Sequence, residues 1–290
     1  MIFGGPGHVD RLRAADELPP PGRRGRASGE PRRAVWIAVL STVAVFGALG
    51  VIVVNAPNWP LVQHAFFDPQ NFNDSLPALL KGFWINVQIF LIAEVLILVF
   101  ALAVAVLRSL PGPVFFPIRA LMTIYVDVFR ALPGLLVIFL LGFGIPGLRI
   151  PGVPKDAFFW AIVALTLVYT AYVSEVYRAG IESVHPSQEA AARSLGLSRL
   201  QALRYVVIPQ AVRRVIPPLL NDFIGLQKDT VFVATIGVVE IFRTAQIKEA
   251  AHFNFTPYVA TAVIFLLLTI PLARLTDWLV ARDRRRGSGA

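Results

Sequence analysis

Several charged side chains stand inside or at the ends of otherwise apolar stretches: Glu94, Asp127, Arg130, Glu175 and Lys228, the last beside Asp229. On insertion scales a charge at membrane depth costs about 2.5–3.5 kcal/mol, so such groups face a protein interior or a water-filled cavity. The chemistry they suit is holding a polar solute or gating its passage. Asn86 and Gln88 join Glu94 as candidates for a polar lining, with interhelical hydrogen bonding as the competing explanation. Asp127 and Arg130 lie three apart on one helix face, where mutual neutralisation competes with gating or loop positioning. Glu175 and Arg178 repeat that spacing, so an interfacial ion pair competes there with solute contact.

Bond-making chemistry has no comparable candidates. The chain has no cysteine, and its four histidines, His8, His64, His185 and His252, are too far apart for a local metal-ligand motif. No GxxxxGK[ST] phosphate loop occurs, so any ATP used with this chain is bound by another subunit. No triad, zinc or aspartyl motif is present. The expectation is a protein that is not an enzyme and carries no cofactor.

The elements that must position these residues are membrane helices. Hydrophobic residues make up 56% of the 290 and charged residues 16%, with mean hydropathy +0.65, which is too apolar for an ordinary soluble core. Residues 1–33 hold seven arginines, five prolines and six glycines and read as a disordered basic tail. An uncharged run from Ala34 to Val54 is long enough to cross a hydrocarbon core of about 30 Å and forms a first span. Residues 55–81 read as a turn-rich loop that holds at most a short surface helix. Further spans are expected at about 83–107, 120–145, 157–177 and 257–279, and a fifth one breaks near Lys228 before a short re-entrant or surface helix. The stretch 178–218 is polar and arginine-bearing, so it lies outside the membrane core. These elements make an all-α integral membrane protein with about six transmembrane helices.

Both termini are expected in the cytoplasm. Segments 1–33, 108–119, 178–214 and 274–286 carry 20 of the 27 basic residues, and the opposite side carries five. That asymmetry follows the positive-inside rule. The basic excess therefore marks topology and lipid contact, with no nucleic-acid partner implied.

Within the polar stretch stands Gln188-Glu189-Ala190-Ala191-Ala192-Arg193-Ser194-Leu195-Gly196-Leu197-Ser198, with Pro209 thirteen residues after Gly196. Gly196 suits a left-handed helix stop, and Ser198-Arg199-Leu200-Gln201 is a capping box that starts a second helix. Pro209 is expected to end that helix. Leu200, Leu203 and Val207 would share one apolar face. Such a helix–glycine–helix knuckle is shaped to dock in a groove on a partner.

This segment resembles the EAA loop of ABC importer inner-membrane permeases, whose pattern places Gly196, Val206, Ile208 and Pro209 at the family spacing. The resemblance extends over roughly residues 80 to 280 and points to the polar amino-acid uptake branch. It is carried by Leu80-Lys81-Gly82-Phe83, Phe129-Arg130-Ala131-Leu132-Pro133, Ala171-Tyr172 with Glu175 and Arg178-Ala179-Gly180-Ile181, Pro209-Gln210-Ala211, and Leu226-Gln227-Lys228-Asp229-Thr230. One departure is local: Ala190 fills the motif's glutamate position, and the acid sits one residue earlier, at Glu189. Another is global: the extra span 34–54 and its basic tail precede the usual five-helix core, which would occupy 80–281.

The resemblance implies a fold, partners and a location in the inner (plasma) membrane. The partners are ABC ATPase subunits docked on the coupling loop 187–209, an extracytoplasmic substrate-binding protein, and a second permease subunit, the same or similar. The implied cargo is polar or charged amino acids, moved by alternating access. A stand-alone channel or facilitator for small polar solutes is the alternative, but it leaves the knuckle without a purpose.

Overall fold

The computed structural model describes residues 32–287, and every regular element among them is helical. The expected disordered tail lies outside these residues, except that Arg32 and Arg33 already belong to the first helix. Among the described residues four helices are long and apolar enough to cross a membrane, and the number rises to six if each of two bent helix pairs counts as one span. The described residues divide into two compact units, with the boundary between Pro60 and Leu61.

In the first unit, α1 (Arg32–Val54) contains the expected apolar run, with mean hydropathy 2.7 over its most apolar window. Its two hydroxyl side chains are satisfied internally, as lipid requires. The Ser41 and Thr42 hydroxyls turn back to the carbonyl of Ala38, at 3.0 and 2.7 Å.

The second unit begins within α2 (Trp59–Phe66) and continues into α3 (Pro69–Ser109), a helix of 41 residues. Here the structure corrects the sequence reading, because residues 69–81 are the first turns of α3 instead of a loop. Asp68 caps them by accepting from the backbone N–H groups of Gln70 and Asn71, and Pro69 occupies an N-terminal position where its missing N–H is harmless. Pro77 removes one internal hydrogen bond without ending a helix of this length. The surface helix α2 is pinned to the residues just before the last helix. Asn254 donates to the carbonyl of His64 at 2.8 Å, the Phe255 N–H bonds the carbonyl of Ala65 at 2.7 Å, and Phe66 stacks on Phe255.

The expected single span 120–145 is two pieces. α4 (Phe116–Ala131) and α5 (Gly134–Phe139) meet in a helix pair bent by 105°. Pro133 causes the break by forcing Leu132 into an extended conformation with φ −81° and ψ 137°. A π-helical turn, Leu140–Gly144, follows, and α6 (Ile145–Gly147) closes the piece. Within that turn Gly142 lies so close to Ile236 that a Cβ would sit 2.7 Å from its side chain.

The central helix is α7 (Ala157–Glu182), longer than the expected 157–177 and capped by Asp156, which accepts from the N–H of Phe159. Ile89, Ala93, Ile97 and Ala101 recur every four residues on α3 and form one buried stripe. They share a core with Ala161, Ala164, Leu165 and Val168 of α7. The alanines on both sides allow close backbone approach, which is how helices associate where lipid supplies no hydrophobic drive.

Two short helices, α8 (Pro186–Ser194) and α9 (Arg199–Ala202), then lead through a π-helical turn, Leu203–Val207, into α10 (Ile208–Asp229). Pro209 therefore does not end the second knuckle helix; it stands in the first turn of the next one. The π-turn makes this possible, with the Ile208 N–H bonding the carbonyl of Leu203 five residues back. The expected break near Lys228 is present. A 3₁₀ segment, Thr230–Ile236, ends at left-handed Gly237, and α11 (Ile241–His252) follows at a 51° bend. The last helix, α12 (Thr256–Gly287), runs beyond the expected 279.

Candidate functional site: a helix–glycine–helix knuckle and the ion cluster behind it

The knuckle is built from hydrogen bonds that its residue types predict. His185 precedes α8, and its Nδ1 accepts from the Ser187 N–H at 3.2 Å. At the other end the Gly196 N–H bonds the carbonyl of Arg193 at 3.0 Å, and the Leu197 N–H bonds that of Ala192 at 3.3 Å. These two bonds are a Schellman motif, and the left-handed residue it needs is Gly196, with φ +89°. The capping box is complete, with the Ser198 hydroxyl accepting from the Gln201 N–H and the Gln201 side chain accepting from the Ser198 N–H.

Burial divides the knuckle into an inner and an outer face. Ala192, Ala202 and Val207 point inward, and Val184, Val207 and Ala211 form a small core of their own. Leu195 and Leu200 are 86% and 74% exposed at the two sides of the glycine. The expected single face of Leu200, Leu203 and Val207 is thus split, because the wider π-turn rotates the residues after Ala202 relative to those before it. Ala190, Ala191, Arg193, Ser198 and Pro209 are exposed, while Glu189 is half-buried with the Arg199 guanidinium 3.9 Å from its carboxylate. Gln188 reaches Gln210 across the knuckle at 3.4 Å.

Behind the knuckle sits Glu175. Its carboxylate accepts from Arg178 at 2.6 Å, as the sequence spacing allowed, and from Arg108 at the end of α3. Arg130 of α4 approaches to 3.8 Å. Three helices are thereby tied to one carboxylate. The alternative pairing of Asp127 with Arg130 does not form: Asp127 is exposed, and Arg130 turns toward Glu175 and lies 6.0 Å above the Tyr172 ring. Arg178 also binds Glu182 at 2.6 Å, and Arg214 of α10 donates to the carbonyl of Ser183. Next to these ties α7 and α10 touch closely, with a Cβ on Gly180 falling 2.0 Å from Val215.

The remaining candidates separate. Asn86 donates to Thr230 at 3.1 Å and to Glu240 at 2.9 Å and accepts from the Ile241 N–H at 3.1 Å. It is an interhelical staple instead of a lining residue. Glu240, its partner, is fully buried and caps α11 by accepting from the N–H groups of Phe242 and Arg243. Sequence reasoning missed Glu240, although an acid one residue before an apolar helix start was the available signal. Gln88 and Lys228 are exposed. Asp229 accepts from the Tyr169 hydroxyl at 2.8 Å, and Glu94 is half-buried. Asp222, also missed, lines a cavity with Arg130 and Glu175.

Residues 110–285 match the family model described as "Binding-protein-dependent transport system inner membrane component". The chain is similar to a probable glutamine ABC transporter permease protein of Bacillus subtilis, 35% identical over 210 residues that cover 72% of this chain and 94% of that one. It is also 31% identical to a glutamate/aspartate import permease protein of Escherichia coli, over 74% of this chain and 98% of the relative. Among solved structures, an amino acid ABC transporter crystallised with histidines superposes with TM-score 0.65 and 31% identity, covering 71% of this chain and 94% of that chain. An inward-facing methionine ABC transporter, at 19% identity and TM-score 0.57 over 71% of this chain and 95% of that chain, shares the fold.

Proposed function

The chain belongs to the family of inner membrane components of binding-protein-dependent transport systems, and from that premise we propose that it is the permease subunit of an ATP-driven importer of polar or charged amino acids. Relatives named for glutamine and for glutamate and aspartate support that cargo class. In this reading an extracytoplasmic binding protein delivers the amino acid to one side of the bundle. A second permease subunit, the same or similar, completes the pathway. ATPase subunits dock on residues 187–209, and both termini lie in the cytoplasm. The chain performs no chemistry of its own; it converts motion of its partners into alternating access.

One observation carries the coupling mechanism: Leu195 and Leu200 are exposed on either side of left-handed Gly196, on a knuckle that continues into α10. Exposed apolar side chains on a rigid turn suit insertion into a partner's groove. A push on the knuckle reaches α7 through the Arg214–Ser183 contact and then α3 and α4 through Glu175 with Arg108 and Arg130. The ion cluster is therefore proposed to transmit force, which is the gating role open to Arg130 and Glu175. For Gln88, Lys228 and Asp229 the proposal remains a place along the polar path.

The test is reconstitution of the chain with its ATPase and binding protein in vesicles, with labelled L-glutamine, L-glutamate and L-arginine offered outside. Uptake should require all three components and ATP. Hydrolysis of ATP by the purified chain alone, or uptake that persists without the ATPase, would overturn the importer reading.

A further inference from the structure

A cavity of about 480 Å³ opens between the inner part of α10, the C-terminal turns of α7 and the end of α4. Its polar walls are Arg130, Tyr172, Glu175, Ser183, Arg214 and Asp222. The volume lies within the range of small-molecule sites. Most of these groups already have partners. Glu175 is held by Arg108 and Arg178, Arg214 donates to the carbonyl of Ser183, and the Tyr172 hydroxyl donates to the carbonyl of Arg130 at 3.3 Å.

Two groups do not. The Arg130 guanidinium makes no hydrogen bond to any described residue, since its 3.8 Å approach to Glu175 exceeds bonding distance and that carboxylate is already occupied. Asp222 has the complementary deficit: its Oδ2 is buried and has no hydrogen-bond partner among the described residues. A buried acceptor without a donor is costly, and native structures rarely leave one without reason. The cavity therefore presents on α4 a partly exposed guanidinium that pairs with Glu175 only at 3.8 Å and keeps its hydrogen-bond donors free of the described residues, and on α10 a buried carboxylate oxygen without a donor.

We propose that this cavity is a subsite for the zwitterionic head of an α-amino acid, with Arg130 taking the α-carboxylate and Asp222 the α-ammonium. The guanidinium fork matches a carboxylate in two parallel bonds, and an ammonium supplies the donor that Asp222 lacks. Because both contacts are to groups that every amino acid carries, the subsite recognises the class and leaves side-chain selection to other surfaces. It rests on the amino-acid reading above. Its place beside Glu175 and Arg214 puts it next to the contacts that carry movement of the knuckle.

The experiment uses the permease–ATPase complex in lipid nanodiscs, without nucleotide and without the binding protein, so that binding to the permease is read alone. The probe is whichever of labelled L-glutamine, L-glutamate and L-arginine the unmodified complex takes up in vesicles. Equilibrium dialysis compares it with its N-acetyl and α-amide derivatives. The unmodified complex should favour the free amino acid over either derivative by about 10-fold or more, the usual weight of one hydrogen bond to a charged group. Arg130→Gln should abolish the preference for a free carboxylate and keep that for a free amine, and Asp222→Asn should do the reverse.

Variants that assemble with the ATPase yet keep both preferences would overturn the subsite, as would an unmodified complex that binds no amino acid without the binding protein. Recovery of uptake by the Arg130→Asp, Asp222→Arg double exchange would also overturn it, by showing that the two groups serve each other as a gate. If the unmodified complex takes up none of the three amino acids, it is the amino-acid reading itself that fails.

Discussion

Gly196 carries the knuckle through its backbone alone. Nothing lies within 4 Å of where its Cβ would be, so a side chain there meets open space, and the whole penalty comes from φ +89°. For a β-branched residue that conformation costs about 1–2 kcal/mol, enough to re-aim α9 and the two exposed leucines. Gly196→Val should leave the protein inserted and ATP hydrolysis by the assembled complex measurable, while uptake per ATP falls several-fold. Gly196→Asn should be milder, because asparagine tolerates the left-handed region. Glu189→Ala should change uptake by less than about two-fold, since a 3.9 Å pair with the largely exposed Arg199 contributes at most about 1 kcal/mol. Measuring hydrolysis and uptake on one reconstituted preparation decides the matter, and a strong loss from Glu189→Ala with a silent Gly196→Val would reverse the assignment. A second residue-scale expectation concerns Asn86, whose three partners join α3 to the start of the 3₁₀ segment and to α11. Asn86→Leu leaves Glu240 and the Ile241 N–H without that partner and should lower stability by about 1–3 kcal/mol, read as a lower Tm in detergent.

At the scale of elements, the π-turn Leu203–Val207 sets how the knuckle faces its partner. Pro209 supplies no N–H, so an ordinary four-residue bonding step cannot be completed there. The turn widens, and Val207 packs against Val184 and Ala211 while Leu200 stays outside. Pro209→Ala restores the missing donor and permits ordinary helix through the joint, which would rotate α9 by roughly one residue's 100°. The expected outcome is near-normal thermal stability with reduced coupling of hydrolysis to uptake. Unchanged coupling would show that the π-turn is only a packing accommodation. A neighbouring joint depends on space: at Gly180 a Cβ would lie 2.0 Å from Val215, so Gly180→Leu should force α7 and α10 apart. A fall in Tm and in assembly with the ATPase should accompany it, and an unshifted Tm would show that Val215 can move aside.

For the molecule as a whole, the distribution of arginine and lysine makes a prediction that needs no tertiary detail. Cysteines introduced at Ser28 and Ser288 of this cysteine-free chain should both resist impermeant thiol reagents in intact cells and react after permeabilisation. Ready labelling of either in intact cells would place that terminus outside and break the six-span topology.

The membrane character, the all-helical build and the knuckle were legible in the sequence because each rests on local chemistry: runs of apolar residues and a glycine followed by a capping box. The Glu175–Arg178 pair was legible for the same reason, being one helical turn apart. What the sequence left open involves groups far apart in the chain. Asn86 was a polar residue in a span until Thr230, Glu240 and Ile241 were seen around it, and Asp127 and Arg130 were partners by spacing until Glu175 was found to attract Arg130 instead. The proline-rich stretch before residue 82 read as a loop because proline disfavours helix interiors, yet Asp68 and Pro69 start α3 there, and the long-range bonds to Asn254, Phe255 and Thr256 hold its approach in place. Local signals depend on neighbours within a turn or two, whereas the pairing of ionised and hydrogen-bonding groups depends on which helices pack together. Only the tertiary structure decided that.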